Sequence, residues 1–440
     1  MSLRAGIHRE LGVRIAIVGS GISGLVCAYV LCKYHDVVVY EANDYIGGHT
    51  HTVQTPSGSR VDTGFIVFNR ENYPNFCGLL SELGIQSQPT SMSFSARCDA
   101  SGLEYSTSSL NHLFSQRKNL LNPAFYALLR DILRFNRQVT GLLEQVDEKL
   151  TVVEFLKQQL YSEVFARHFL YPISTALWSC PQEMLEEFPM RFILEFYLHH
   201  GMHKLLNQPG WNVVAGGSSH YVEKLVVPFR DRIRTSCPVS SVQRDKESVY
   251  IITKNGTERY DEVIFACHSD QSLRILGDSA SIMEREMLIA FPYSKNKVTL
   301  HTDTKVLPMN KRAWASWNSQ VERQPSPQAK VTYNMNMLQS LKTDQTFCVS
   351  LNQDHGIESN KVIERFEYEH PLFNTRRATV QKNHAELIRQ KRSSFCGAYW
   401  GNGFHEAGVT SGLAVCKGFG IVPDWASQSN SSAGTAKGMG

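Results

Sequence analysis

Gly19, Gly21 and Gly24 stand in the order Gly-x-Gly-x-x-Gly, and an acid, Glu41, follows 20 residues after Gly21. These residue types at this spacing could hold a dinucleotide. Gly19 permits a tight turn. Gly21 lets the backbone approach a pyrophosphate, which would rest on the positive end of a helix. Gly24 lets that helix pack closely on a strand, and Glu41 is placed to accept hydrogen bonds from a ribose 2′-OH. The competing reading is a glycine turn without a ligand. The elements around the glycines decide between the two. Residues 15 to 18 are apolar and read as a buried strand running into the turn. From Ser23 onward Leu25, Val26, Ala28, Tyr29, Val30 and Leu31 predict a helix. Val37 to Tyr40 predicts a second strand that ends in Glu41. Gly19, Ser20, Gly21, Gly24 and Glu41 are therefore cofactor-binding candidates.

Composition narrows the class. With 42% hydrophobic and 20% charged residues the chain reads as a soluble globular protein able to bury a large core. Its 440 residues suggest about two or three domains. A net charge of +4 argues against nucleic acid as the main partner, since phosphate binding needs a concentrated basic surface. Ten cysteines are scattered without a Cys-x-x-Cys pair, which reads as reduced thiols in a cytoplasmic protein. The first dozen residues lack the apolar core of a signal peptide, and no run of 18 apolar residues exists to span a membrane. His199 and His203 are four apart and invite a metal reading, but no acid or cysteine stands at a matching spacing and Gly201 should end the helix. No metal is expected.

After Glu41 come Gly47-Gly48-His49-Thr50 and then Asp62-Thr63-Gly64-Phe65. An acid-ending strand followed by Gly-Gly and then Asp-x-Gly resembles the flavoprotein family of amine oxidases and phytoene-type desaturases. Near the other end, Phe395 to Gly412 resembles that family's C-terminal flavin motif. The resemblance runs from about residue 14 to about 420. It implies an α/β fold: a Rossmann-type FAD-binding domain of the glutathione-reductase-2/amine-oxidase kind, with an α+β substrate domain inserted discontinuously. On that basis residues 12–90, 206–275 and 389–424 are assigned to the FAD-binding domain. Residues 91–205, mainly helical, and 276–388, a mixed sheet, are assigned to the substrate domain. Residues 425–440, rich in Ser, Gly and Ala, read as a disordered tail.

The same resemblance implies site residues. Gly47, Gly48 and His49 would pass along the FAD phosphates, and Gly64 and Phe65 would lie against the flavin. His49 stands where the family's amine oxidases usually carry Arg. Val239 would touch the adenine. Gly397 ends the last strand of the flavin motif, and Gly408, Val409 and Thr410 would aim helix amides at the flavin C2 carbonyl. Ala398 stands where an acid usually follows the first glycine, and Phe404 where amine oxidases place a substrate-flanking tyrosine. His405 and Glu406 would then be the titratable residues nearest the ring. His405 could exchange a proton near neutral pH or only hydrogen-bond its loop. Glu406 could instead satisfy backbone amides at the helix start. Lys297 matches by spacing the family lysine that holds a water near flavin N5, with Lys295 two residues away; its other reading is a surface lysine. FAD is expected to be held non-covalently, because the family's attachment motif is absent.

Within the helical part, Pro123 suits a helix first turn, Thr151 with Glu154 forms a capping box, and a wide apolar stripe from Phe125 to Val139 follows. The stripe is explained by core packing, and such a bundle could also line a cavity for an apolar substrate. Strands are expected at Val298–His301, Ala313–Trp317, Lys330–Asn334 and Phe347–Leu351. The function the resemblance implies is an FAD-dependent oxidoreductase that moves a hydride from a substrate C–H bond to flavin N5. The substrate would be a small molecule, either apolar and lipidic (acyl or isoprenoid) or an amine, with transient membrane-surface contact allowed. A flavin-dependent double-bond isomerase is the alternative. A binding protein resembling Rab GDP-dissociation inhibitors is a remote one, opposed by the intact phosphate loop. A single complete dinucleotide fingerprint opposes an NAD-only dehydrogenase.

Overall fold

The computed structural model describes residues 12–203, 210–323, 328–353, 356–372 and 374–426. Strand β1 (Arg14–Val18) has branched, fully buried side chains on both faces, the pattern of a central parallel strand. It runs into helix α1 (Ile22–Leu31), which crosses over to strand β2 (Asp36–Tyr40), parallel to β1. Glu262–Phe265 pairs with the other side of β1, and Ser393–Phe395 and Ile233–Arg234 complete a five-stranded parallel sheet. Three distant stretches of chain thus build one sheet, which is the discontinuous α/β domain expected.

Each face of that sheet has its own core. On one, α1 packs against the C-terminal helix His405–Gly418. The approach is close: a Cβ on Gly412 would stand 2.8 Å from Ser23 O, and one on Gly408 would stand 2.7 Å from Ile22 Cγ2. On the other lies the antiparallel meander Val239–Arg244, Val249–Thr253 and Gly256–Tyr260, in which Thr253 pairs with Gly256 across the turn. Helices Ser269–Leu276 and Ile282–Leu288 join this second core through Leu276, Met287 and Leu288. The nucleotide domain therefore runs on past residue 275 to Phe291. Helix α2 (Pro74–Glu82) lies between short strands Val67–Asn69 and Ser87–Pro89, both paired with Trp211–Val214.

The second domain joins a helical half to a seven-stranded mixed sheet. Helix Pro123–Gln145 has Pro at its first turn and an Asn122 cap, and the Thr151–Glu154 capping box is formed. In the sheet, Phe94–Cys98 and Glu104–Ser106 form a hairpin. Tyr293–His301, Val331–Asn334 and Cys348–Leu351 are strands. Ala313–Trp317 is not the strand expected: Asn310 caps a short 3-10 turn over Lys311–Ala313, and the strand starts at Trp317 and runs to Val321. The edge strand Val362–Pro371 was not expected. Residue 425 was assigned to the tail, yet Trp425 is buried against α2, where its carbonyl faces Gly78. The remaining tail from 427, and the boundary at 205–206, lie outside the described residues. Among the described residues no helix is long and apolar enough to cross a membrane.

Candidate cofactor and substrate site

The phosphate end is built by the turn after β1. Gly19 has φ +108°, and its N–H donates to Tyr40 O at 2.8 Å, tying the ends of β1 and β2 together. A Cβ on Gly24 would run into Gly19 O, so this glycine is needed for helix packing. A Cβ on Gly21 would meet nothing within 4 Å, so this glycine faces open space. Gly21 is also the N-cap of α1, with no side-chain cap and no acid in the first turn. The helix start is thus left to an anion. Gly47 N–H donates to Ser20 O at 3.1 Å, and Gly48, with φ +59°, lies against Gly21. The Gly-Gly segment therefore folds over the phosphate turn.

Glu41 is buried at the end of β2. Its Oε2 accepts Ser20 N–H at 2.9 Å and Ser20 Oγ–H at 2.6 Å, and its Oε1 accepts Asn43 N–H at 2.8 Å. The carboxylate is held rigidly at the edge of the turn, where a ribose would lie. Cys237 N–H donates to Glu41 O at 2.8 Å, which brings buried Val239 beside the same end.

The ring end lies where Asp62–Phe65, the start of the C-terminal helix and the substrate sheet converge. Phe65 N–H donates to His49 O at 2.7 Å, and a Cβ on Gly64 would strike that same carbonyl. Phe65 stacks on His405 with ring centroids 3.7 Å apart and planes 9° apart. His405 Nε2 lies 2.8 Å from Tyr221 Oη, which lies 2.6 Å from Thr50 Oγ1. Burial lowers the His405 pKa to about 3. It is a neutral imidazole at neutral pH, so the expectation that it titrates there is corrected. Asp62 accepts from Thr52, Ser218 and Gln339, and burial raises its pKa to about 6.

His49 packs on Tyr368 and His370 with centroids 5.1 and 5.3 Å away. Its Nε2 is buried without a hydrogen-bond partner among the described residues. Burial first, and then the neighbouring His370, His268 and His405, hold its pKa well below the ordinary value. His370 is lowered to about 4 by burial. His268 Nδ1 lies 3.2 Å from Glu369 Oε2 and its ring stacks on Tyr293 at 4.4 Å. Sequence reasoning missed Tyr221, His268, Tyr368 and His370. The signal for two of them was present: Phe366, Tyr368 and His370 alternate with Arg365, Glu367 and Glu369 at the period of a strand.

Three further expectations are corrected. Lys297 is exposed. Successive side chains on Tyr293–His301 alternate, and Asn296 turns inward to meet His370 Nδ1 at 3.2 Å. Lys295 and Lys297 therefore point to the outer face, away from His49. The helix amides are displaced by one turn: the helix begins at His405 with Phe404 as N-cap, and Gly408 N–H already donates to Phe404 O at 3.3 Å. The first-turn amides are those of His405, Glu406 and Ala407, and Gly408 serves packing against α1. Gly397 N–H donates to Ser411 Oγ at 2.9 Å, which fixes the loop before this helix. Glu406 does satisfy backbone amides, but those of α2: it accepts Asn75 N–H at 3.0 Å and Phe76 N–H at 2.9 Å. Burial raises its pKa to about 7.

Next to the ring end, Phe404 stacks on Phe196 of the helical half at 5.0 Å, and His200 stacks between Phe196 and Trp211. This wall is aromatic. His203 lies beyond the end of helix Met190–His199, so the two histidines do not share a helix face. Among the described residues no group of His, Cys, Asp or Glu could hold a metal ion. All ten cysteines are free thiols.

The residues present fit FAD: an open glycine cradle, two helix starts with uncommitted first-turn amides, a fixed carboxylate at the ribose position and an unpartnered His49 nitrogen. The comparisons agree. A model of the family described as flavin containing amine oxidoreductase matches residues 22–351. The 15-cis-phytoene desaturase of Synechococcus elongatus is 36% identical over 77 residues, 17% of this chain and 16% of that protein. Amine oxidase [flavin-containing] A of Sus scrofa is 21% identical over 255 residues, 55% of this chain and 47% of that protein. The aligned segments thus span less than half of these curated relatives. Among solved structures, cyclohexylamine oxidase from Brevibacterium oxydans superposes with TM-score 0.67 at 15% identity, covering 93% of this chain and 100% of that one. A CLA-producing fatty acid isomerase from P. acnes does so with TM-score 0.67 at 15% identity, covering 94% and 100%.

Proposed function

The chain belongs to the family of flavin-containing amine oxidoreductases, and from that premise we propose that it is an FAD-dependent oxidoreductase acting on an apolar, lipidic substrate. The observation that carries the cofactor is the pairing of open Gly21 with buried Glu41 across one turn. Gly19, Ser20, Gly21, Gly47 and Gly48 would hold the phosphates, Glu41 the ribose, and Phe65 with the His405–Ala407 amides the ring. FAD, when bound, supplies an acceptor for a hydride from a substrate C–H bond. The chain's own residues bind, orient and exclude water. The first turn of the C-terminal helix favours negative charge at its N-terminus. Neutral His405, fixed by Tyr221 and Phe65, orients rather than titrates. Binding is read as non-covalent.

The aromatic wall of Phe404, Phe196 and Trp211 favours an apolar substrate over a small amine, as does the outward orientation of Lys295 and Lys297. The second reading is a double-bond isomerase, in which the hydride returns to the same molecule. It is favoured by the same apolar wall. Anaerobic mixing of the flavin-loaded protein with unsaturated fatty acids, polyenes and amines tests the reading. Bleaching by a lipid and not by amines supports the oxidoreductase; a shifted double bond without lasting bleaching supports the isomerase. Bleaching by amines alone would contradict both.

A further inference from the structure

The helical half carries an apolar tip that nothing in the described fold covers. The 3-10 turn Arg117–Leu121 projects just before helix Pro123–Gln145. Leu121 is 91% exposed, and Leu120 and Tyr126 are each 47% exposed. With Pro123, Ala127 and Arg130 they line one shallow depression, so they form a single patch. Along the helix, Tyr126, Arg130, Leu133, Arg134 and Arg137 recur three or four residues apart and share the outer face. Phe125, Leu128, Phe135, Val139 and Leu142 face the core. Leu160, 84% exposed, stands beside this face, because Arg134 donates to the neighbouring Gln159 O at 2.6 Å.

From Ser108 to Arg137 the exposed charge on this face is basic, and exposed Glu144, two turns after Arg137, closes the basic stretch at the far end of the helix. Between Ser108 and Arg137 the chain carries Arg117, Lys118, Arg130, Arg134 and Arg137, and its one acid is Asp131. Asp131 is buried, where it accepts Ser162 N–H at 3.0 Å and lies 3.5 Å from Arg130 Nε. Exposed leucines ringed by cations match a bilayer with anionic headgroups, which places phosphates at the level of the cations and acyl chains at the depth of the leucines. A protein partner would need an apolar socket and a ring of acids together. We propose that this tip docks peripherally on an anionic lipid surface, with the helix from Pro123 to Arg137 lying along the headgroups and Leu120, Leu121 and Tyr126 dipping beneath them. The inference does not depend on the redox reading, since it uses no residue of the cofactor site.

Flotation of the FAD-loaded full chain with vesicles tests it. One vesicle set is phosphatidylcholine alone, the other an equal mixture of phosphatidylcholine and phosphatidylglycerol. The protein should float with the anionic vesicles and be released by added salt. Leu121→Asp should lower partitioning by about tenfold or more, and Arg130→Gln by about fivefold. Both variants should keep FAD content, and Leu121→Asp, at an exposed side chain, should also keep the melting temperature. No wild-type flotation with anionic vesicles, or flotation unaffected by Leu121→Asp, would overturn the proposal. So would a wild-type dimer that Leu121→Asp makes monomeric, which would assign the patch to a second copy.

Discussion

The carboxylate of Glu406 accepts the backbone N–H of Phe76 at 2.9 Å and so joins the first turn of the C-terminal helix to the first turn of α2. Asn75 N–H and Nδ2 complete this cap. One acid thereby ties the start of the C-terminal helix to the start of α2.

That cap has a pH signature. Burial raises the Glu406 carboxyl from 4.5 to about 7. Between those values the folded state keeps a proton that the unfolded chain has released, so the Glu406 contribution to stability falls as pH rises. Over the full interval it amounts to about 3 kcal/mol. Urea unfolding of Glu406→Gln and wild type across this range should therefore give a difference that grows in favour of the variant as pH rises. A difference constant with pH would mean that Glu406 is ordinary in the folded state. Asp62, raised from 3.8 to about 6, adds a slope of the same sign at lower pH.

Gly21 and Gly24 should separate binding from folding. A Cβ on Gly21 meets nothing within 4 Å, so Gly21→Ala should keep stability within about 1 kcal/mol while FAD occupancy collapses. Gly24→Ala must push α1 off Gly19 O and should lose about 2 kcal/mol or more of stability. Thermal melts of the two apoproteins, read beside flavin content, check this.

Glu41→Ala removes the acceptor for Ser20 and Asn43 and the ribose contact together. FAD affinity should fall by about 2 to 3 kcal/mol, with secondary structure unchanged. Flavin fluorescence titration of the apoprotein measures it, and unchanged affinity would remove Glu41 from the site.

His405, held at about 3, should leave no inflection between pH 5.5 and 8 in the rate of flavin reduction by substrate. His405→Ala should keep FAD bound and slow reduction through lost positioning, evenly across that range. A wild-type inflection near 6.5 that vanishes in the variant would contradict a neutral His405.

The dinucleotide corner was legible in the sequence because its determinants are local. Strand, turn, helix and acid occupy residues 14 to 41, and each glycine answers a steric demand a few residues away. The ring end was legible in type but not in register. Phe404 is not a usual capping residue, so the start of the C-terminal helix lies one turn earlier than the glycines suggest. Lys297 matched by spacing, but the face a strand side chain takes is fixed by what covers the sheet, and here Asn296 has the inward parity. Val362–Pro371 is rich in charge, which hid a strand whose inward residues are Phe366, Tyr368 and His370. Tyr221 reaches His405 across 184 residues of sequence, a pairing no local pattern carries.

The central claim is that FAD is held between the Gly21 turn and the start of the C-terminal helix at His405. The visible spectrum of the purified protein, taken before and after heat precipitation, tests it most directly. Flavin bands that pass into the supernatant are expected. A colourless protein that takes up no FAD on reconstitution would contradict the account, and bands that stay with the pellet would contradict its non-covalent attachment.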